Sequence, residues 1–195
     1  MIDVLIKGGP VMIPLGICSV VAAGVLAERL RHLHRARRDT DRLLDQLESD
    51  PPPSRDALLR TCRASRAPLA RVIAAAARHN PPSIAAAERQ GAEEARRLEG
   101  YLPVVDAIVT LAPMLGLLGT ITGMIRSFGV LSIQGGDNPF AVTGGIAEAL
   151  ITTAAGLIIA VPAFAGYVWC QHMVEREIHR METISGDLFE RVDWT

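Results

Sequence analysis

Three long stretches of this chain carry almost no charge, and they limit the fold more than any other feature. Residues 8–27 (GGPVMIPLGICSVVAAGVLA) have none, residues 102–130 have only Asp106 and Arg126 near their two ends, and residues 144–170 have only Glu148. Each could cross a hydrocarbon core of ~30 Å, which takes about 20 helical residues. Backbone N–H and C=O groups in lipid must be satisfied within the protein, so such runs are helices. The chain reads as an all-α membrane protein with three transmembrane helices. Only 21% of its residues are charged and 4% aromatic, less than a soluble domain of this size would show.

The orientation follows from the basic residues, which favour the cytoplasmic side. Of 20 Lys and Arg, Lys7 precedes the first span, Arg126 lies in the second, fifteen fall between Arg29 and Arg97, and three follow the third span. The N-terminus is therefore expected outside and the C-terminus in the cytoplasm. The basic cluster ERLRHLHRARR follows the first span rather than preceding it, which marks an anchor and not a cleaved signal peptide. The chain divides into residues 1–28 (exterior N-terminus and first span), 29–101 (cytoplasmic helices), 102–131 (second span), 132–143 (exterior loop), 144–170 (third span) and 171–195 (cytoplasmic C-terminal helix). A net charge of −1 argues against nucleic-acid binding. Cys18, Cys62 and Cys170 are too scattered for a disulfide or metal framework.

In the cytoplasmic segment, Pro51-Pro52-Pro53 ends the helix that continues the first span, and Ser54 is placed to cap the next. Pro68 suits the first turn of a second short helix, Asn80-Pro81-Pro82 ends that one, and Ser83 caps a third. From Ile84 the pattern predicts one unbroken helix into the second span, reaching Val130, with Pro103 and Pro113 as kink points. The third span is likewise predicted to continue to the C-terminus. No Gly-rich phosphate loop, nucleophile–base pair or HExxH appears, so the reading is a non-enzyme without a cofactor. His172, Glu175 and His179 could share a helix face, though on so charged a helix they read as solvated.

Two spans carry the informative motifs. In GLLGTITGMIRSF, Gly116, Gly119 and Gly123 with Thr120 make one side of the second helix very small, which lets a neighbouring backbone approach. In GGIAEALITTAAGLIIAVPA, Glu148 is an expensive residue, about 2.5–3.5 kcal/mol for a charge at mid-membrane and less one turn from the end. Desolvation opposes its ionisation unless a cation lies close. It reads equally as a proton-exchanging group or as a hydrogen-bond donor between helices. Thr152 lies one turn from Glu148 on the same face, and Ala149, Thr153, Gly156 and Ala160 form a second small face. Gly145 adds to the packing positions. Asp106 reads either as a wet exit for protons or as a residue at headgroup level, and Arg126 as a snorkelling end residue.

These two motifs, with the first span and the approach EEARRLEGYL, resemble the MotA/TolQ/ExbB proton channel family, and its ExbB-like branch most. The resemblance covers about two thirds of the chain, with the segment from Asp39 to Ile84 matching in length and helical character only. It implies a homo-oligomeric ring, typically a pentamer, around the single-span helices of an ExbD- or TolR-like partner. It further implies a bacterial inner-membrane location, use of the proton motive force, and a TonB- or TolA-like effector. By the same resemblance Thr120 and Thr153 are pore-facing and Glu148 is the family's intramembrane glutamate; Thr152, one turn from Glu148, is a further candidate for the wall on its spacing and not on the resemblance. A non-conducting scaffold that only holds partner helices is the rival reading, and an intramembrane hydrolase a distant third.

Overall fold

Among the described residues six helices account for the architecture: α1 (Met12–Leu47), α2 (Arg55–Ala64), α3 (Pro68–Ala77), α4 (Ile84–Glu99), α5 (Leu102–Gln134) and α6 (Pro139–Arg191). The computed structural model describes residues 8–47, 54–79, 81–134 and 139–191, and no strand occurs among them. The three long helices α1, α5 and α6 are each long and apolar enough to cross a membrane. This is the predicted all-α, three-span fold. The prolines at 51–53 and Asn80, read as helix breaks, lie outside the described residues, as do positions 135–138 of the predicted exterior loop. α5 and α6 extend into that loop from either side, to Gln134 and from Pro139.

The chain forms two compact units, Met1–Ala27 with Tyr101–Val168, and Glu28–Gly100 with Trp169–Thr195. In the first, the buried residues are small or mid-sized: Leu15, Val105 and Ala112 are fully enclosed, with Ala22, Ala160 and Ala163 beside them. Its large apolar side chains point outward instead, among them Ile17, Val20, Leu117, Ile158 and Val161. A surface so apolar suits contact with lipid or with other apolar helices rather than with water.

The second unit has the opposite arrangement. Leu43, Leu58, Leu69, Ile73 and Leu98 are fully buried, and charged residues cover the outside. Glu94 is also fully buried. Arg71 ion-pairs with its Oε2, while Gln90 Nε2 (3.0 Å) and Arg97 Nη1 (3.2 Å) donate to its Oε1. A buried charge is tolerated when it is paired and hydrogen-bonded in this way. Local caps match the sequence pattern: Ser83 Oγ accepts from Ala86 N–H at 3.3 Å, and Pro68 sits in the first turn of α3. Ser54 occupies the N-cap position of α2 without a side-chain bond. Arg55 closes the other end of α3 by donating from Nε to Ala77 O (3.0 Å) and from Nη2 to Arg78 O (3.3 Å). Cations at helix C-termini are favoured by the unpaired carbonyls there.

The predicted unbroken helix from Ile84 to Val130 does not form. α4 stops at Glu99, Gly100 turns with φ 48° and ψ −119°, and α5 starts at Leu102. Three causes converge. Only glycine adopts this backbone readily, and Pro103 fits the first turn of a new helix, where no N–H is needed. Arg29, a buried residue of the same unit as Gly100, fills the space where a Cβ at 100 would be and donates from Nη1 to Arg97 O at 3.1 Å.

Gly100→Ala should therefore destabilise the protein by about 1–3 kcal/mol, read as a lower unfolding midpoint in detergent; an unchanged midpoint would contradict the backbone assignment. Burial pushes the Cys62 thiol from 9.0 up to about 11. A raised native value favours the neutral thiol, so this contribution to stability is complete below the unfolded thiol's range and is lost as pH rises towards 11. In a chain with Cys18 and Cys170 replaced by Ser, Cys62 should resist alkylation at a pH near 9 and react only after unfolding.

Candidate functional site

The small faces of the second and third spans pack against each other within the first unit. A methyl added at Gly123 would lie 2.7 Å from the Gly145 carbonyl oxygen, and one at Gly156 would lie 2.6 Å from that of Ala112. A methyl at Gly116 would lie 3.1 Å from the Thr153 Cα, and one at Gly119 would overlap the Thr152 side chain. The two helices therefore lie in close contact along about three antiparallel turns, with backbone against backbone at Gly116, Gly123 and Gly156. All five glycines singled out in the sequence take part.

The threonines use this proximity differently. Thr153, half-buried, donates across the contact to Gly116 O at 3.0 Å. Thr120, also half-buried, donates to Leu117 O in its own helix at 2.6 Å. Thr152 is completely enclosed, and its hydroxyl lies 2.8 Å from both Gly8 O and Glu148 O. Its candidacy for a pore wall does not fit that position: it holds the start of the first span against the third, inside the chain's own fold.

Glu148 has a cation beside it. Arg126 Nη1 donates to Glu148 Oε1 at 2.8 Å, with the carboxylate 19% and the guanidinium 56% exposed. Arg126, read as a snorkelling end residue, has a partner that reading did not name, because antiparallel α5 and α6 bring both residues to the same end. Gly9 packs against the carboxylate with φ 71°, leaving no room for a side chain. Glu148 is thus fixed between a guanidinium and the Gly8-Gly9 turn. Chemically this is an oriented ion pair at one end of the two-helix contact, with its guanidinium half exposed.

Sequence reasoning missed three contributors: Arg126 as the partner of Glu148, and Gly8 and Gly9 as the turn that packs on it. The available signals were the shared end of two antiparallel helices and the dipeptide Gly8-Gly9 before Pro10. Asp106 is exposed in the second turn of α5, and its backbone carbonyl accepts from Thr110 at 3.4 Å. His172, Glu175 and His179 are all exposed; His172 Nδ1 lies 3.4 Å from Glu175.

Residues 64–183, which hold the glycine-lined contact, both half-buried threonines and the Arg126–Glu148 pair, match the MotA/TolQ/ExbB proton channel family. The chain belongs to that family. Among curated relatives, biopolymer transport protein ExbB-like 1 of Synechocystis sp. is 34% identical over 172 residues, covering 83% of this chain and 66% of the relative. Biopolymer transport protein exbB1 of Vibrio cholerae is 33% identical over 178 residues, covering 87% of this chain and 78% of the relative. The Tol-Pal system protein TolQ of Pseudomonas aeruginosa is 40% identical over 74 residues, 38% of this chain and 32% of its own length. The two ExbB-named relatives above align along most of this MotA/TolQ/ExbB member, other ExbB proteins match about half of it, and the TolQ protein matches 38%.

A double-mutant cycle with Arg126→Gln and Glu148→Gln should give a coupling of about 1 kcal/mol in detergent unfolding, small because the guanidinium is half exposed. Additive single effects would rule out a stabilising pair. Gly156→Val should cost more than either, since its side chain meets backbone.

Proposed function

We propose that this protein is the ExbB-like subunit of a bacterial inner-membrane motor driven by the proton motive force. It assembles as a homo-oligomer, a pentamer by family resemblance, around an ExbD-like single-span partner, and energises TonB-dependent transport across the outer membrane. Its N-terminus faces the periplasm and its C-terminus the cytoplasm, as the distribution of Lys and Arg supports. The observation that carries the reading is the pair Thr120 and Thr153. They stay partly accessible, with Thr122 beside them, on a helix pair whose exposed large side chains around them are apolar, within the part of the chain that matches the family.

In this reading the two hydroxyls form the wall past which a partner's carboxylate passes a proton. Glu148 shapes that wall rather than carrying the proton. The support is its ion pair with Arg126 and its packing under Gly9, which fit a positioning role better than a free exchanging acid. Asp106 then belongs at headgroup level. A TolQ-like role in envelope maintenance is the second reading, favoured only by the 40% identity over 74 residues to a TolQ protein. A non-conducting scaffold would use the same glycine faces without the threonines.

Proton uptake by liposomes holding this protein and its single-span partner separates these readings. Flux should appear with the wild type, fall at least about tenfold with Thr153→Val or Thr120→Val, and be restored by Thr153→Ser. Absence of flux from a correctly assembled wild-type complex would support the scaffold. Glu148→Ala should assemble yet fail in energy-dependent uptake, and full uptake in that variant would remove Glu148 from the mechanism.

A further inference from the structure

Within the second unit, α1 and α6 line a half-open cavity of about 340 Å³, a size at the small end of the ~300–1,000 Å³ that bound small molecules occupy. Leu33 and Met173 supply apolar lining, and Arg37, Arg176 and Arg180 supply guanidinium groups. Trp169, 65% exposed, also lines it. It directly follows the apolar residues of the third span, the place where tryptophan marks a membrane interface.

The charges in the cavity are not equivalent. Arg180 is committed, donating to Asp41 at 2.6 Å and lying 3.7 Å from Glu177. Glu177, the carboxylate of the lining, is 5% exposed with its Oε1 enclosed, so it offers nothing to a headgroup amine. Arg37 is exposed and makes no ion pair or side-chain hydrogen bond among the described residues. Arg176 uses only Nε, towards His172 O at 3.4 Å. Two guanidinium groups thus keep their terminal N–H donors for a ligand, and that donor pattern matches phosphate oxygens.

The direction of the two helices adds a constraint. Both α1 and α6 run from their apolar segment into this unit, and side chains on a helix lean towards its N-terminus. Arg37 and Arg176 therefore lean back towards the apolar segments. Seven residues, ~10 Å of helix, separate Trp169 from Arg176, a span an arginine side chain can largely cover by snorkelling.

We infer that this cavity is a binding site for the phosphate headgroup of an anionic phospholipid, held by Arg37 and Arg176 with Trp169 at the acyl-chain side. Basic pockets between helices at a membrane surface recognise such headgroups. The site is separate from the threonine wall and does not depend on ion conduction.

The test uses the full chain with Trp194→Phe, which leaves Trp169 as its only tryptophan. In detergent, phosphatidylglycerol brominated on its acyl chains near the headgroup should quench Trp169 at about tenfold lower concentration than the matching phosphatidylcholine. Arg37→Gln with Arg176→Gln should abolish that preference while helical content and elution volume stay unchanged. The exposed pair Arg31→Gln with Arg35→Gln, outside the cavity, should keep it. Equal quenching by the two lipids, or loss of the preference in both double variants, would overturn the site. Displacement of the brominated lipid by millimolar inorganic phosphate would assign the cavity to a small free anion instead and overturn the lipid.

Discussion

Two apolar helices in lipid gain little from hiding apolar surface against each other, since the tails are as apolar as leucine. What remains is close contact, and the span pair α5–α6 achieves it by leaving out side chains. With Gly123 against the Gly145 carbonyl and Gly156 against that of Ala112, backbone meets backbone. The rest of the site depends on that distance. Only helices this close allow Thr153 to reach Gly116 O, or Arg126 to reach Glu148.

The two compact units solve different solvent problems with one chain. One buries alanine, glycine and a few mid-sized side chains and turns most of its large aliphatics outward; the other buries leucine and isoleucine and keeps most of its charges outside. The difference reaches the polar groups. Glu94 is tolerated at the centre of its unit because three donors surround it, whereas Glu148 sits at the end of a span with one guanidinium and a glycine turn.

Most of the fold was legible because its signals are local. Apolar length marked the spans, and Pro68 and Ser83 marked helix starts. The five glycines read as packing positions all lie in the contact, because residue size is visible in a sequence. The failures have local and non-local causes. Gly100 followed by Pro103 is a stop-and-start signal that the strong helical pattern on either side outweighed. Thr152 was read from its spacing to Glu148, but its burial is decided by where Gly8 returns. The partner of Glu148 is 22 residues away, and only the antiparallel geometry of the two spans identifies it.

The same ion pair bears on how the chain enters the bilayer. Arg126 lies in the helix made first and Glu148 in the helix made second, so during synthesis the arginine reaches the membrane before its counterion exists. An unpaired charge at that depth is costly, and the cost falls once the carboxylate arrives beside it. The second and third spans are therefore best inserted together, as a helical hairpin whose two charges partition as one neutral dipole. The pair that holds Glu148 in place thus also lowers the cost of having two consecutive spans in lipid together.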